Sequence, residues 1–418
     1  MNPSDARPST TSPRRRVLKR ALGVVGGGLL AGCSPLFRKA VLAGPAKPAP
    51  FGVKSFVRKT FDGLNRALVW DSHVHIIGNG KSGSGAYVNP SYREGVYKSF
   101  LYDYYMASGG VLEDETADDD FIKRTLSLHR LANPTGKLIM LAFDVRVEED
   151  GEENLEHTEF AVPNALAKKV ADANVDVKWG CSVHPYRKNA VDLLEEAIAD
   201  GAVCMKWLPN AMGIDPSSPK CDALYEVLAK HDLPLLVHAG EEQAADSEGS
   251  QSLGDVLRLR RPLDAGVKIV VAHCAGLGEG EDIDKGDGSK ANSFGLMIRL
   301  LEEKQYEGRL FADISAMTQF NRSGAPLREI ILRQDLHKRL VNGSDYPLPS
   351  LNMLISTRLL EKRGYLTKHE RQMCNEVFKV NPLLFDFVVK RSLKVRHEGK
   401  IYKFSDEVFE SGRVFARS

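Results

Sequence analysis

The chain has 418 residues, enough for one large domain or two of ordinary size, and 43% of them are hydrophobic, as a globular core requires. Lys and Arg total 57 against 55 Asp and Glu, a formal charge of +2, so no global field favours nucleic acid. Six cysteines with no C-x-x-C spacing argue against a disulfide framework and against a cysteine metal site.

In chain order, the first segment reads as an address. Arg14-Arg15-Arg16-Val17-Leu18-Lys19 precedes Ala21-Leu22-Gly23-Val24-Val25-Gly26-Gly27-Gly28-Leu29-Leu30, an apolar run too short to span a bilayer as a stable helix. The arginines before Val-Leu-Lys resemble a bacterial twin-arginine export signal. Leu30-Ala31-Gly32-Cys33 resembles the lipobox of bacterial lipoproteins, whose cysteine is acylated after cleavage. The resemblance implies an export signal over residues 1–33 and an exported bacterial protein, periplasmic or held at a membrane through lipid on Cys33. An uncleaved basic tail is the alternative. Residues 34–66 hold Pro, Ala, Gly and Lys in weakly periodic order, which suits a linker or N-terminal arm.

From residue 67 short apolar runs alternate with amphipathic segments. Eight runs occur, at 68–76, 137–144, 177–184, 202–207, 233–238, 267–273, 309–314 and 339–345. Helical stretches lie between several of them, such as 190–199 and 221–231. Alternation of this kind indicates a parallel sheet covered by helices, and eight units over roughly 280 residues predict an α/β fold of the (β/α)8 TIM barrel type spanning 67–390. An open doubly wound sheet is the rival, but no Gly-rich phosphate loop follows the first run. Residues 78–136 and 275–293, after strands 1 and 6, are too long for simple turns and read as lids or loops. The second is acidic and Gly-rich, and reads as a solvated loop ahead of a calcium site. Cys181, Cys204 and Cys274 lie in apolar runs and read as buried hydrophobes. The charged C-terminal extension, 391–418, is expected to pack outside the barrel.

Polar residues sit where the strands end: His73 and His75 on strand 1, Lys206 on strand 4, His238 on strand 5, His273 on strand 6 and Asp345 on strand 8. Barrel enzymes build their sites at this C-terminal rim. Strand residues two apart share a face, so His73 and His75 project together with Asp71 behind them. Two such imidazoles can share zinc, iron, copper or nickel. One H-x-H arises often by chance; the ordered series on five strands does not. On strand 4, Val203, Met205 and Trp207 share the outward face, and Cys204 with Lys206 the inward one. A lysine inside an apolar strand needs a charged partner or a polar mouth. Tyr186, Arg187, Trp207 and Glu241 fall just past strand ends and are candidates for the pocket wall.

The stretches Asp71-Ser72-His73-Val74-His75, Val237-His238-Ala239-Gly240, Ala272-His273-Cys274, Ala312-Asp313-Ile314-Ser315 and Gly343-Ser344-Asp345-Tyr346-Pro347 resemble the amidohydrolase superfamily of metal-dependent barrel hydrolases. Within it they are most similar to the amidohydrolase-related branch that includes aminocarboxymuconate semialdehyde decarboxylase. Asn381-Pro382-Leu383-Leu384-Phe385 resembles the Asn-containing helix that closes many members. The resemblance implies that His73, His75, His238 and Asp345 ligate one divalent cation, zinc first among candidates. It implies two ions if Lys206 is carboxylated and bridges them, with His238 and His273 then on the second. It makes His273 the residue that orients the nucleophile or polarises the substrate. A bound divalent ion lowers the pKa of its water from ~15.7 to roughly 7. Asp345 is then the expected general base, and His273 or the cation stabilises charge on the substrate oxygen. The expected activity is metal-dependent hydrolysis of an amide, lactone or ester in a small-molecule substrate. The alternatives are a metal-dependent decarboxylase of an aromatic or unsaturated carboxylic acid, and a surface-anchored binding lipoprotein with an inactive barrel. No Gly-x-Ser-x-Gly elbow offers a serine nucleophile. Oligomeric state is open, a homodimer included.

Overall fold

The eight apolar runs become eight parallel strands in a computed structural model, which describes residues 38, 46–132, 136–243, 245, 249–351 and 354–416. The strands are β1 (Trp70–His75), β2 (Lys137–Leu141), β3 (Val177–Cys181), β4 (Cys204–Trp207), β5 (Leu235–His238), β6 (Ile269–Ala272), β7 (Leu310–Asp313) and β8 (Leu340–Val341). They lie side by side in chain order, every pair parallel. The ring closes where the chain after β8 returns beside β1. Ser72 N donates to the Asn342 carbonyl at 3.2 Å, Asp345 N to His73 O at 2.8 Å, and His75 N to Tyr346 O at 2.9 Å. The predicted (β/α)8 barrel is therefore the fold. The export signal expected over 1–33, Cys33 included, lies outside the described residues.

Parallel neighbours need a crossover, and a helix follows each strand: α1 (Ala117–Ala132), α2 (Asn164–Asp172), α3 (Ala190–Ala199), α4 (Asp222–Lys230), α5 (Arg260–Asp264), α6 (Ser293–Glu302), α7 (Ala325–Leu332) and α8 (Pro382–Ser392). Helix α8 starts at the Asn-Pro pair read from sequence. The Asn381 side chain accepts from Leu384 N, and Pro382 fits the first turn because it lacks a donor. The same Asn381 donates to Leu128 O at 2.8 Å, which ties α8 to α1.

Strand alternation sends one set of side chains inward and the other under the helices. Ile139, Leu141, Cys204, Leu236, Val270, Phe311 and Val341 fill the ring, whereas Met205, Trp207, Val237 and Val271 pack outward. Val203 joins the inner cluster, not the outer face expected for it. It precedes the first residue of β4, so strand alternation does not govern it. The C-terminal segment also departs from expectation. Val414 and Phe415 are buried in the inner cluster, so the end of the chain plugs the barrel instead of lying outside it.

In the N-terminal arm, Phe51–Lys59 is a helix that buries Val53 and Val57. The long connection after β1 holds a helix at Val96–Ser108, then α1, and a short ribbon in which Tyr87–Val88 pairs with Phe160–Ala161. The acidic connection after β6 forms a hairpin, Glu279–Glu281 with Lys290–Asn292. Asp282 there is held by Arg299, and Asp284 by Arg260 and Arg299. The five cysteines described are buried thiols. Among the described residues no helix is long and apolar enough to cross a membrane.

Candidate active site

β1 carries a register shift between Asp71 and Val74, within which His73 falls, and it delivers His73 and His75 to the rim. Their Nε2 atoms lie 3.1 Å apart. Asp345 completes a tight group: its Oδ1 is 3.1 Å from His75 Nε2 and 3.6 Å from His73 Nε2. Lys206 Nζ approaches His73 Nε2 at 3.3 Å. Ligand atoms of His73, His273 and Asp345 all fall within 4.8 Å of one another. The barrel thus brings together five of the six residues singled out in the sequence. The sixth, His238, lies against the His273 ring at 5.5 Å between centroids. Its Nδ1 faces Glu242 at 3.4 Å, and its buried Nε2 has no hydrogen-bond partner.

Which nitrogens carry lone pairs follows from two residues on and after β7. His73 Nδ1 is 2.8 Å from Asp313 Oδ2, and a carboxylate only accepts, so Nδ1 holds the proton and Nε2 the lone pair. The Ser315 hydroxyl donates its one proton to Asp313 Oδ1. Its oxygen must then accept from His273 Nδ1, at 2.7 Å, which leaves the lone pair on His273 Nε2 as well. Asp313 Oδ1 also accepts from His273 N at 2.8 Å. The sequence reading quoted Asp313 and Ser315 but assigned them no role. Their signal was the D-x-S spacing at a strand end, which puts both on one face.

Burial in the barrel mouth pushes the His73 pKa down to about 4, helped by the adjacent Lys206. Burial likewise lowers His238 and His273 and favours the uncharged amine of Lys206. For Asp345 burial acts to raise the carboxyl, but the surrounding His273, His75 and His73 outweigh it and hold Asp345 below the usual carboxylate range. Asp313 is held low in the same way, by His73, His273 and Ser315 against burial. Burial thus works against charge on His73, His238 and His273, while Asp313 and Asp345 stand beside them as ionised carboxylates.

The backbone that presents Asp345 is clamped. Asp345 has φ +61°, and His273 has φ +55°, both in the left-handed region that side chains avoid. Asp71 accepts from Ser344 N at 2.7 Å. Lys390 on α8 donates to Gly343 O at 2.7 Å and to Asp386 at 2.6 Å, all buried. Gly343 must be glycine: a Cβ there would sit 2.5 Å from His73 Cβ.

Above this cluster opens a cavity of about 240 Å³. A water needs only about 10–15 Å³ measured this way, so an organic molecule fits. His73, His75, Lys206, His238, His273 and Asp345 all line it, beneath a wall of aromatic and aliphatic side chains. The expected wall residues do not. Trp207 points outward and donates to Val183 O, Arg187 is paired with Asp144 and Glu153, Tyr186 packs on His184, and Glu241 lies outside the lining. Strand alternation and local ion pairs turn them away. In their place the sequence reading missed Arg322, buried in the lining after β7. Burial lowers its pKa, against the attraction of Asp345 and Glu242.

Residues 70–383 match the family model described as Amidohydrolase. Among curated proteins none matches the chain. Solved structures with a similar trace include an uncharacterized TIM-barrel protein from Bordetella bronchiseptica, at TM-score 0.46 and 13% identity over 77% of this chain and 99% of that one. A provisionally assigned 2-pyrone-4,6-dicarboxylic acid hydrolase from Pseudomonas putida has TM-score 0.42 and 15% identity over 76% and 97%. The 4-oxalomesaconate hydratase of Rhodopseudomonas palustris has TM-score 0.40 and 16% identity over 77% and 98%.

Proposed function

The chain belongs to the amidohydrolase family, an enzyme superfamily that depends on metal, and on that premise we propose a hydrolase of the C–N or C–O bond in an amide, lactone or ester. The observation that carries this reading is the meeting of His73 Nε2, His75 Nε2 and Asp345 Oδ1 within 3.1–3.6 Å at the floor of a roomy cavity. Imidazole lone pairs beside a carboxylate form a donor set that suits a borderline divalent cation, zinc above all. The unpartnered Nε2 of buried His238 fits the same demand. His73, His75 and Asp345 would hold the cation, with His238 and His273 beside them.

A bound divalent cation supplies Lewis acidity and makes water ionisable near neutral pH. Asp345, kept ionised by the ring of imidazoles, accepts the proton of the attacking water. His273 orients that water by accepting at Nε2, since its Nδ1–H is committed to Ser315. This lone pair makes His273 a poor donor to the substrate oxygen, and Lys206 Nζ is the N–H donor that lines the cavity beside it. The apolar wall keeps bulk water from the reacting carbonyl.

We propose further that the enzyme is exported and tethered to a membrane through Cys33, on the strength of the arginine run and the Leu-Ala-Gly-Cys stretch. The activity is tested by screening lactones, esters and amides with the purified full chain, with and without chelator. Metal-dependent hydrolysis is expected, and Asp345→Asn should lower kcat by about 10²- to 10⁴-fold with an unchanged melting temperature. Release of carbon dioxide with no water incorporated would replace the hydrolase with the decarboxylase.

A further inference from the structure

We propose that the outer face of the helix Val96–Ser108 lies on the bilayer that holds Cys33, which sets the mouth of the cavity at the membrane surface. The tether rests on the export reading given above; the contact rests on where the N-terminal arm meets the barrel and on what it meets there.

Arg38 is that point, 2% exposed in an arm that the sequence reads as a linker. Its Nε and Nη2 donate to Asp103 Oδ1 at 3.0 and 2.7 Å, its Nη2 also to Asp114 Oδ1 at 2.8 Å, and its Nη1 to Leu112 O at 3.2 Å. The guanidinium lies over the Tyr102 ring, 5.4 Å from the centroid. Tyr102 and Asp103 belong to the helix Val96–Ser108, and Leu112 and Asp114 follow it. Withdrawing a buried cation from two carboxylates is costly, so the arm is fixed to this helix. Four residues separate Arg38 from Cys33. Fully extended, that tether spans at most about 18 Å. A domain of roughly 350 residues has a radius of gyration of about 20 Å. The tether therefore cannot carry the lipid round the barrel, and it holds the lipid on the side where Arg38 is bound.

The helix presents two faces. Tyr102, Tyr105 and Met106 line the cavity. Phe100 and Tyr104 lie outside that lining; four residues apart on one face, they stack at 5.8 Å between centroids and are only half-buried. At about 100° per residue their face is opposite that of Tyr102 and Met106. Aromatic rings, tyrosine with its polar tip above all, favour the boundary between membrane and water. The charges beside the helix are matched: Arg38, Lys81 and Arg93 pair with Asp103, Asp114 and Glu115. The rings and the tether, and not a basic patch, define the contact. One side of the helix thus meets lipid while the other walls the cavity.

The test puts a tryptophan on the outer face. The native Trp70, Trp179 and Trp207 are buried, so a quencher carried by lipid reports the new ring. The full chain with Tyr104→Trp is coupled through Cys33 to vesicles of phosphatidylcholine brominated in its acyl chains, with a small share of maleimide phosphatidylethanolamine. The five described cysteines are buried thiols and do not compete for the maleimide. Emission should fall relative to the same chain on unbrominated vesicles. Val175→Trp, at a position 91% exposed just before β3 and so at the opposite end of the barrel, should keep its emission. Phe100→Trp reads the same face if the Tyr104 variant fails to fold. Undiminished emission from the helix variant, or an equal fall in Val175→Trp, overturns the contact. Coupling to a synthetic lipid separates this contact from the lipid anchor. Quenching in a chain that cells leave unacylated removes the anchor and keeps the contact, and acylation in cells without quenching does the reverse.

Discussion

His73 Nδ1 sits 2.8 Å from Asp313 Oδ2 with both side chains fully buried, and this contact decides which face of the imidazole meets the cavity. An amide at 313 can donate to Nδ1 and so permits the opposite tautomer, with the proton on Nε2. Asp313→Asn should therefore weaken metal affinity by about 10- to 100-fold, the usual effect of losing such a partner. Metal retained against a competing chelator measures it. A variant that keeps wild-type affinity would reduce Asp313 to packing.

Gly343 lies against His73 more closely than any side chain allows. A Cβ would meet His73 Cβ at 2.5 Å and His73 N at 3.1 Å, both rigid parts of β1. Gly343→Ala should cost about 1–3 kcal/mol of stability, the range for overpacking, and should also lower metal content by displacing the imidazole. Denaturant unfolding together with elemental analysis reads both. A stable variant with full metal content would show that β1 and the chain after β8 can part at no cost.

Acid should destabilise the fold before carboxylates titrate. Burial pushes the His129 and His184 pKa values down from 6.5 to about 4, beside Asp176 in the first case and beside the Met212 carbonyl in the second. The unfolded chain binds protons at these sites first, so their contribution is intact above the unfolded value and is lost as pH falls from about 6.5 toward about 4. The full gap is worth about 3 kcal/mol for each ring. Unfolding free energies taken across that window should fall with pH, and His129→Gln should flatten the slope. A flat wild-type profile would contradict it.

Cys33→Ala should move the protein from the membrane fraction to the soluble one when it is expressed in a bacterium with lipoprotein processing. Fractionation with an antibody to the chain measures this. Unchanged partitioning would remove the lipid anchor proposed for Cys33.

The eight strands were legible because parallel strands buried on both faces read as apolar runs, and the rim residues because each ends such a run. What the chain order hides is the contact made when the ring closes. The D-x-S of Asp313 and Ser315 is visible in the sequence, but that both serve His73 and His273 depends on ring closure, which sets β7 between β6 and β8 and only one strand from β1. Arg322 looks like any loop arginine until burial removes its solvent. Arg187 and Trp207 looked like wall residues because they follow strands, yet an ion pair and an outward register take them elsewhere. Val414 and Phe415 end a charged segment, and only the open bottom of the ring explains their burial.

Metal content per chain is the most direct measure of the account. Purified full-length protein should carry at least one divalent cation, as the donor set demands. His75→Ala and Asp345→Ala should lose it while keeping their fold. Lys206→Ala tells one ion from two: an unchanged metal count removes the bridging role. A chain that stays fully active after exhaustive chelation, with no metal left to detect, would contradict the central claim.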